Sequence, residues 1–320
     1  MSGAVIERIQ TVGFTILAIA LGSFAWVVAA AWGWHADGWL VTQWGVHDFG
    51  AAGLVHAVAG FFALGVLINL GPRIGKFNSD GSANHISGHN MPLTITGLML
   101  IIVGFWGFLM ACVIVPGEGW SWYENAPATI YGTPITLSAL AFNILMGIAG
   151  GIIGAWIYTK DPFWMMSGAL AGIIAVASGL DIYFPGLAFI IAFTAGAILQ
   201  PCAKILERMG IDDAVGAVTL HGTIGLFGVI MLGVFASGYP ALDALMGDVA
   251  RPTVSLQGQL VGAIVFFLLG FVPGYLISLV LKGLGMLRTP EKAELAGLDP
   301  VKVPAQGYPE GIPASQPASS

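Results

Sequence analysis

Eight long apolar stretches, separated by shorter polar segments, dominate the hydrophobic pattern of this chain. They cover residues 11–34, 49–71, 92–115, 134–158, 163–180, 183–202, 214–236 and 257–282. A helix needs about 20 apolar residues to cross the hydrocarbon core of a bilayer, and these stretches lack the strict alternation of barrel strands. The pattern therefore predicts an all-α integral membrane protein with eight transmembrane helices.

The Lys and Arg residues predict the orientation of these helices. Ten of the eleven basic residues precede the first stretch, end or follow the last one, or lie in even-numbered loops, and only Arg251 lies in an odd-numbered loop. Basic loops stay on the cytoplasmic side of a membrane. We therefore expect both termini in the cytoplasm and the protein in a bacterial inner membrane. Residues 1–283 are the predicted transmembrane domain, and residues 284–320 are a predicted solvated cytoplasmic tail.

The composition of the chain narrows the classes of function that it can have. Of the 320 residues, 57% are hydrophobic and 9% are charged, whereas a soluble domain carries about 25% charged residues. This composition excludes a soluble enzyme and a nucleic-acid-binding protein. The sequence contains no nucleophile–base pair, phosphate-binding loop or clustered carboxylates, so we predict no enzymatic activity, no cofactor and no metal. His35 and His47 are predicted to be solvated loop residues, and His85 and His89 to be structural.

The second and seventh apolar stretches share a sequence pattern. With an offset of 165 positions, identical residues fall at Asp48/Asp213, Ala52/Ala217, His56/His221, Gly60/Gly225, Phe62/Phe227 and Leu67/Leu232. By the count of helices, one stretch enters the membrane from outside and the other from the cytoplasm. Two units of opposite orientation are typical of transporter folds with a site near the middle of the membrane. We therefore predict an inverted-repeat bundle.

Each of these two units places a histidine eight residues after an aspartate, His56 after Asp48 and His221 after Asp213. An aspartate at a helix N-terminus accepts hydrogen bonds from free N–H groups. The histidine then lies about 12 Å deeper along the helix, so both histidines approach the membrane centre. A lone histidine there often packs and bonds a neighbouring helix, but ionisable groups in membranes usually face a cavity. The symmetric pair favours a functional site.

Six segments of the chain carry a resemblance to one family. They are GAVIERI (3–9), DFGAAGLVH (48–56), GHNMPLTITGLMLIIVGFWGF (88–108), SGALAGIIA (167–175), DDAVGAVTLHGTIGLFG (212–228) and LRTPEKAELAGLD (287–299). In this order they are similar to motifs of the ammonium transporter / methylammonium permease / Rhesus family. The resemblance runs from residue 3 to about residue 300. It implies a membrane-embedded bundle of the ammonium-transporter type, with ammonium or ammonia as substrate.

The resemblance also implies a pore. The twin pore histidines of the family fall on His56 and His221, and its inner phenylalanine gate falls on Phe108. In a narrow apolar pore, imidazoles with an ordinary pKa of about 6.5 are expected to be neutral. Neutral imidazoles can pass hydrogen bonds to ammonia or relay its proton.

An outer recruitment site is implied as well. Its tryptophan, which holds a cation against the ring, falls on Trp34, and its structural aspartate falls on Asp48. A recruitment-site serine falls on Cys112, which is a weaker hydrogen-bond acceptor. The tryptophan and phenylalanine of the family's GWFGF segment are exchanged here as Phe105 and Trp106.

The resemblance begins at a motif that closes the third helix of the family. The chain is therefore expected to lack the first three helices, which would leave one wall of the pore open. We expect a homotrimer, as in the family, or a hetero-oligomer with a chain that supplies the missing helices. Two functions remain open: an ammonium or ammonia channel or transporter, and a non-transporting accessory or structural subunit of a larger membrane complex.

Overall fold

The computed structural model describes residues 1–113, 126–128, 131–239 and 252–302. Its regular secondary structure is helical apart from one antiparallel pair of short strands, β1 (Ala126–Ala128) and β2 (Thr133–Ile135). The mostly helical architecture agrees with the predicted class of protein. Arg251, the end of the stretch predicted at 92–115 and the tail after residue 302 lie outside the described residues.

The helices are named in chain order. They are α1 (Thr11–Gly33), α2 (Trp39–Trp44), α3 (Ala52–Leu70), α4 (Met91–Ala111), α5 (Leu137–Tyr158), α6 (Pro162–Ala177), α7 (Pro185–Arg208), α8 (Val218–Phe235), α9 (Leu256–Gly283), α10 (Glu291–Ala296) and α11 (Leu298–Lys302). A short 3-10 turn, Ser2–Val5, precedes α1. Three long helices contain a π-helical turn, at Leu21–Ala25 within α1, Ala52–Ala57 at the start of α3 and Val218–Thr223 at the start of α8.

Seven of the described helices are long and apolar enough to cross a membrane, namely α1, α3, α4, α5, α7, α8 and α9. Helix α6 corresponds to the span predicted at 163–180 but has 16 residues, fewer than the about 20 that a full crossing needs. It ends because the backbone turns, with the N–H groups of Gly179 and Tyr183 donating to the carbonyls of Val176 and Gly179. Eight complete crossings remain a prediction.

Polar side chains at the edges of the apolar stretches begin four of these helices. Each accepts a hydrogen bond from the backbone N–H three residues later, which satisfies one free donor of the first turn. They are Asn90 before α4, Thr136 before α5, Asp161 before α6 and Ser255 before α9. Helix α7 runs beyond its predicted end at residue 202 to Arg208. Its last turns carry Lys204 and Glu207, so helical hydrogen bonding continues past the apolar stretch.

Glycines bring α5, α6 and α7 into close contact. Gly151 of α5 lies against the backbone of Gly168 in α6, and Gly196 of α7 lies against the carbonyl of Gly151. A side chain at any of these three positions would collide with the backbone of a neighbouring helix. Small residues therefore set the separation of these helices, as is common in membranes.

Helices α3 and α8 cross at two equivalent contacts. Gly60 of α3 lies against the backbone of Gly222, and Gly225 of α8 lies against the backbone of Ala57. Residues 60 and 225 are 165 positions apart, and so are residues 57 and 222. The shared sequence pattern of these two stretches is thus matched by a reciprocal contact between them.

Arginine side chains gather at one end of the bundle, which we call the basic end. Asp212, just before α8, accepts two hydrogen bonds from Arg73, just after α3, at 2.8 and 2.9 Å. The backbone carbonyl of Asp212 accepts from Arg8 at 2.6 Å. Because the end of α3 meets the start of α8 here, the two helices are antiparallel. The opposite end, where Asp48 precedes α3, is called the Asp48 end.

The first part of the predicted solvated tail is docked onto the basic end. Leu287 is 1% exposed, and the backbone N–H of Thr289 donates to the carbonyl of Arg8 at 2.9 Å. Arg288 binds the carboxylate of Glu294 at 2.8 Å. These residues hold the two ends of the described chain together, which a reading of composition alone does not reveal.

Candidate functional site

His56 and His221 meet where α3 crosses α8. Their Nδ1 atoms are 3.0 Å apart, and their rings are nearly parallel, with centroids separated by 5.2 Å. A hydrogen bond between two Nδ1 atoms requires one ring to donate and the other to accept, so one proton lies between them. The two histidines therefore form a hydrogen-bonded imidazole pair inside the bundle.

Both histidines lie near the ends of π-helical turns. His56 belongs to the turn Ala52–Ala57, and His221 belongs to the turn Val218–Thr223. A π turn inserts an extra residue into a helix and is frequent at functional sites. The same local irregularity thus carries both members of the pair.

The two aspartates of the shared pattern hold the starts of these turns. Asp48 Oδ2 accepts hydrogen bonds from the backbone N–H groups of Gly53 and Leu54, each at 2.9 Å. Asp213 Oδ2 accepts from the N–H of Val218 at 2.6 Å. A carboxylate at this place satisfies free N–H groups and lies favourably at the positive end of the helix dipole. The capping role predicted for both aspartates is therefore present in the structure.

One aromatic ring of α4 lies on the histidine pair. Phe105 stacks on His56 with centroids 5.5 Å apart and planes 9° apart. Phe108, which the resemblance assigns to the inner gate, is 38% exposed. Within the described residues we see no ring contact between Phe108 and either histidine. Phe105 therefore occupies the stacking position, although the sequence marked it only as exchanged with Trp106.

Tyr131 connects the residues assigned to recruitment. Its hydroxyl donates to the carbonyl of Gly33 at 2.8 Å and accepts from the backbone N–H of Asp48 at 3.0 Å. Trp34 follows Gly33, and its Nε1 is buried without a hydrogen-bond partner among the described residues. Cys112 is buried in a cluster that Trp34 also contacts. The structure thus brings Trp34, Asp48 and Cys112 to the same end of the bundle.

His47 belongs to a buried histidine–carboxylate pair that the sequence did not reveal. It is 4% exposed, and its Nε2 lies 3.0 Å from the carboxylate of Asp181. Its ring stacks on Tyr131 at 4.0 Å, and Gln259 bonds its backbone N–H and carbonyl at 3.0 and 2.7 Å. The prediction of a solvated His47 is therefore wrong. His35, by contrast, has a side chain that is 65% exposed, as expected.

The charges of the two ends differ. The Asp48 end buries two carboxylates, Asp48 and Asp181, together with His47. The described Lys and Arg residues lie elsewhere, in the N-terminal segment, after α3, between α5 and α6, at the end of α7 and from the end of α9 onward. An acidic end of this kind attracts cations.

An apolar bundle with a hydrogen-bonded histidine pair between antiparallel helices has the features of a membrane channel or transporter. The chain belongs to the Ammonium Transporter Family, whose family model matches residues 1–308. This membership confirms the resemblance that the six motifs carry. It also places the chain among transporters and channels rather than enzymes.

Curated relatives are similar along nearly the whole chain. Ammonium transporter Amt1 of Methanocaldococcus jannaschii is 33% identical over 316 residues, which cover 97% of this chain and 73% of the relative. Ammonium transporter Amt2 of the same organism is 31% identical and is matched over 67% of its length. Ammonium transporter 1 member 4 of Arabidopsis thaliana is 32% identical, with 93% of this chain matching 63% of the relative.

Solved structures show the same fold. The structure titled Sensor Amt Protein superposes with a TM-score of 0.78 at 26% identity, covering 94% of this chain and 72% of that protein. Saccharomyces cerevisiae Mep2 superposes with a TM-score of 0.72 at 17% identity, covering 91% of this chain and 63% of that protein. The latter similarity concerns the fold alone.

Proposed function

We propose that this chain conducts ammonium or ammonia along a path lined by His56 and His221. The observation that carries the proposal is the partly buried contact of 3.0 Å between their Nδ1 atoms. Ionisable side chains inside an apolar bundle are energetically costly, and they usually mark a functional site. Membership of the Ammonium Transporter Family supports ammonium as the substrate.

Recruitment is proposed at the Asp48 end. The ring of Trp34 can hold an ammonium ion by a cation–π contact, which contributes about 2 kcal/mol when the ion is desolvated. The buried carboxylates of Asp48 and Asp181 add a negative potential at this end. Asp48 itself is fully engaged with the backbone and Ser178, so its proposed role is to hold the site in shape.

The histidine pair is proposed to carry ammonia and its proton through the apolar centre. A hydrated cation cannot enter such a region intact, and burial favours the neutral form of an amine. Ammonium then loses its proton, ammonia passes along the two imidazoles, and the pair relays the proton. His56 Nε2 is buried without a hydrogen-bond partner among the described residues, so it is available to the substrate.

An inverted repeat is proposed as the origin of this site. Support comes from the offset of 165 positions between the two units and from the reciprocal contacts Gly60–Gly222 and Gly225–Ala57. The basic end is proposed to face the cytoplasm, which would place the Asp48 end outside a bacterial inner membrane.

A further chain is proposed to complete the walls of the path. Only 11% of the apolar window of α4 is buried, although this helix supplies Phe105 to the histidine pair. A homotrimer, or a hetero-oligomer with a chain that supplies further helices, would cover α4. The mass of the purified complex in detergent distinguishes these assemblies from a monomer.

The proposed function is tested by electrical recording from proteoliposomes. The full chain should give a saturable current on an ammonium pulse and none with potassium. The double variant His56→Ala/His221→Ala should change or abolish this current, whereas His35→Ala, which alters an exposed histidine, should leave it intact. A wild-type current that the double variant reproduces would refute the twin-histidine path. A folded wild-type protein without current would favour the accessory subunit.

A further inference from the structure

A polar cavity lies at the basic end, beside the start of α8. Its volume is about 250 Å³, enough for several molecules of the size of water. Six of the residues that line it are Trp164, Lys204, Glu207, Asp213, Gly216 and Thr219. The cavity thus reaches the turn that carries His221.

Two buried oxygen atoms at this cavity have no hydrogen-bond partner among the described residues. They are Asp213 Oδ1 and Thr219 Oγ1, and Thr219 is 0% exposed. A buried polar atom without a hydrogen-bond partner destabilises the folded state. Both atoms can accept a hydrogen bond or coordinate a cation, so the cavity offers a carboxylate and a hydroxyl to a ligand.

The Asp48 end shows what normally satisfies such an oxygen. Asp48 and Asp213 each use Oδ2 to cap a π-helical turn. At Asp48 the other oxygen, Oδ1, accepts a hydrogen bond of 2.6 Å from the hydroxyl of Ser178. At Asp213, a residue that lines the cavity, the equivalent oxygen has no hydrogen-bond partner among the described residues. The two ends therefore differ by one donor to the carboxylate in the described part of the chain.

Two other carboxylates that line the cavity are paired with neighbouring cations. Asp212 binds Arg73 and Arg8, and Glu207 binds Lys76 at 2.5 Å. Asp213 forms no salt bridge in the part of the chain that the structure describes, in contrast to Asp212. Burial raises the pKa of Asp213, while the N–H groups of the turn lower it.

We propose that this cavity is a second cation site, in which a small monovalent cation, ammonium above all, binds Asp213 Oδ1 and Thr219 Oγ1. An ammonium ion would donate to both oxygen atoms. The ring of Trp164 supplies an aromatic wall, because Gly216 has no side chain to separate its turn from that ring. The role of the site as an exit from the path rests on the proposed function, whereas the binding does not.

Crystals of the full chain soaked in a thallium(I) salt test the binding directly, since thallium(I) resembles ammonium in size and scatters anomalously. An anomalous peak is expected between Asp213 and Thr219, and added ammonium should weaken it. Asp213→Asn keeps an oxygen for the N–H of Val218 but removes the charge, so the peak should fall to the noise. Thr219→Val should weaken it.

Asp161→Asn is the matched control, because Asp161 also caps a helix but does not line the cavity. It should leave the peak unchanged. A cavity that holds only water in the wild type, or a peak that survives in Asp213→Asn, would overturn the second site. Ammonium current without this peak would refute the site but not the conduction, and a peak without current would refute the conduction but not the site.

Discussion

The Asp48 end and the basic end contain the same local structural arrangement in different surroundings. At each, an aspartate caps a π-helical turn and a histidine follows eight residues later. At Asp48, other residues satisfy these polar groups. The hydroxyl of Ser178 donates to the carboxylate, and the hydroxyl of Tyr131 accepts from the backbone N–H. Around Asp213 one carboxylate oxygen has no partner among the described residues.

The comparison shows which features a repeated sequence pattern determines. The cap, the turn and the histidine depend on residues within one stretch, so both copies form them. The surroundings of the second carboxylate oxygen depend on distant segments: Ser178 donates to Asp48, whereas residues of α7 line the cavity beside Asp213. Equal local sequence therefore produces equal local geometry but not equal chemistry.

The largest expected effect concerns the His47–Asp181 pair, which has no counterpart of hydrogen-bonded histidine and carboxylate among the described residues of the basic end. His47→Leu and Asp181→Leu should each lower the free energy of unfolding by about 3 kcal/mol, because each leaves the other buried side chain without its hydrogen-bond partner. The double variant should lose less stability than the sum of the losses in the two single variants. Denaturation in detergent micelles measures all three values.

The exposed pair His35–Asp37, with nitrogen and oxygen 3.9 Å apart, provides the control. The variants His35→Leu and Asp37→Leu should be indistinguishable from wild type, since exposed ion pairs contribute little. If the single variants of His47 and Asp181 lose as little stability as these controls, the buried pair does not stabilise the Asp48 end.

A smaller effect should separate the two capping aspartates. Asp48→Ala leaves Gly53, Leu54 and Ser178 without an acceptor in a fully buried place, which should cost about 2–3 kcal/mol. Asp213→Ala removes a helix cap beside a cavity, and it should lower the free energy of unfolding by about 1 kcal/mol. Thermal unfolding of the two variants in the same detergent measures both losses of stability. Equal losses would mean that Ser178 adds nothing to the cap at Asp48.

Much of this fold follows from the sequence because lipid imposes a simple rule. Apolar stretches near 20 residues long must become helices, and polar residues such as Asn90 and Thr136 mark their starts. The rule fails at α6, where hydrophobicity continues to residue 180 while the backbone turns after Ala177. Hydropathy reports which residues avoid water, and it does not report where a helix ends.

The site was predictable only where its members repeat or match a family motif. His56 and His221 stand out by both criteria. Phe105 did not, because the stacking partner of a ring depends on how α4 is rotated. His47 and Asp181 are 134 positions apart, and neither lies in a periodic segment, so no pattern links them. The adjacency of His47 to Asp48 was the one available signal.

The smallest expected effect is a difference in the response of the two ends to acid. Burial opposes the charge of Asp212, but hydrogen bonds from Arg73 and the charge of Arg8 prevail and lower its pKa. A carboxyl group with a lowered pKa stabilises the folded state above its ordinary pKa of about 3.9 and loses this contribution as the pH falls further. Asp212→Asn should therefore lower the melting temperature at pH 7, because it removes the charge that pairs with Arg73 and Arg8, and should have progressively less effect below pH 4.

Asp48 should respond in the opposite sense, which makes it the contrast for this experiment. Burial raises its pKa, against the hydrogen bonds from Ser178, Leu54 and Gly53. A raised pKa means that the folded state binds the proton more readily than the unfolded state, so acid favours folding through this group. Lowering the pH from 7 to 3 should thus raise the stability of the wild type relative to Asp48→Asn and lower it relative to Asp212→Asn. Parallel curves for Asp212→Asn and wild type would show that Arg73 and Arg8 do not hold Asp212 ionised.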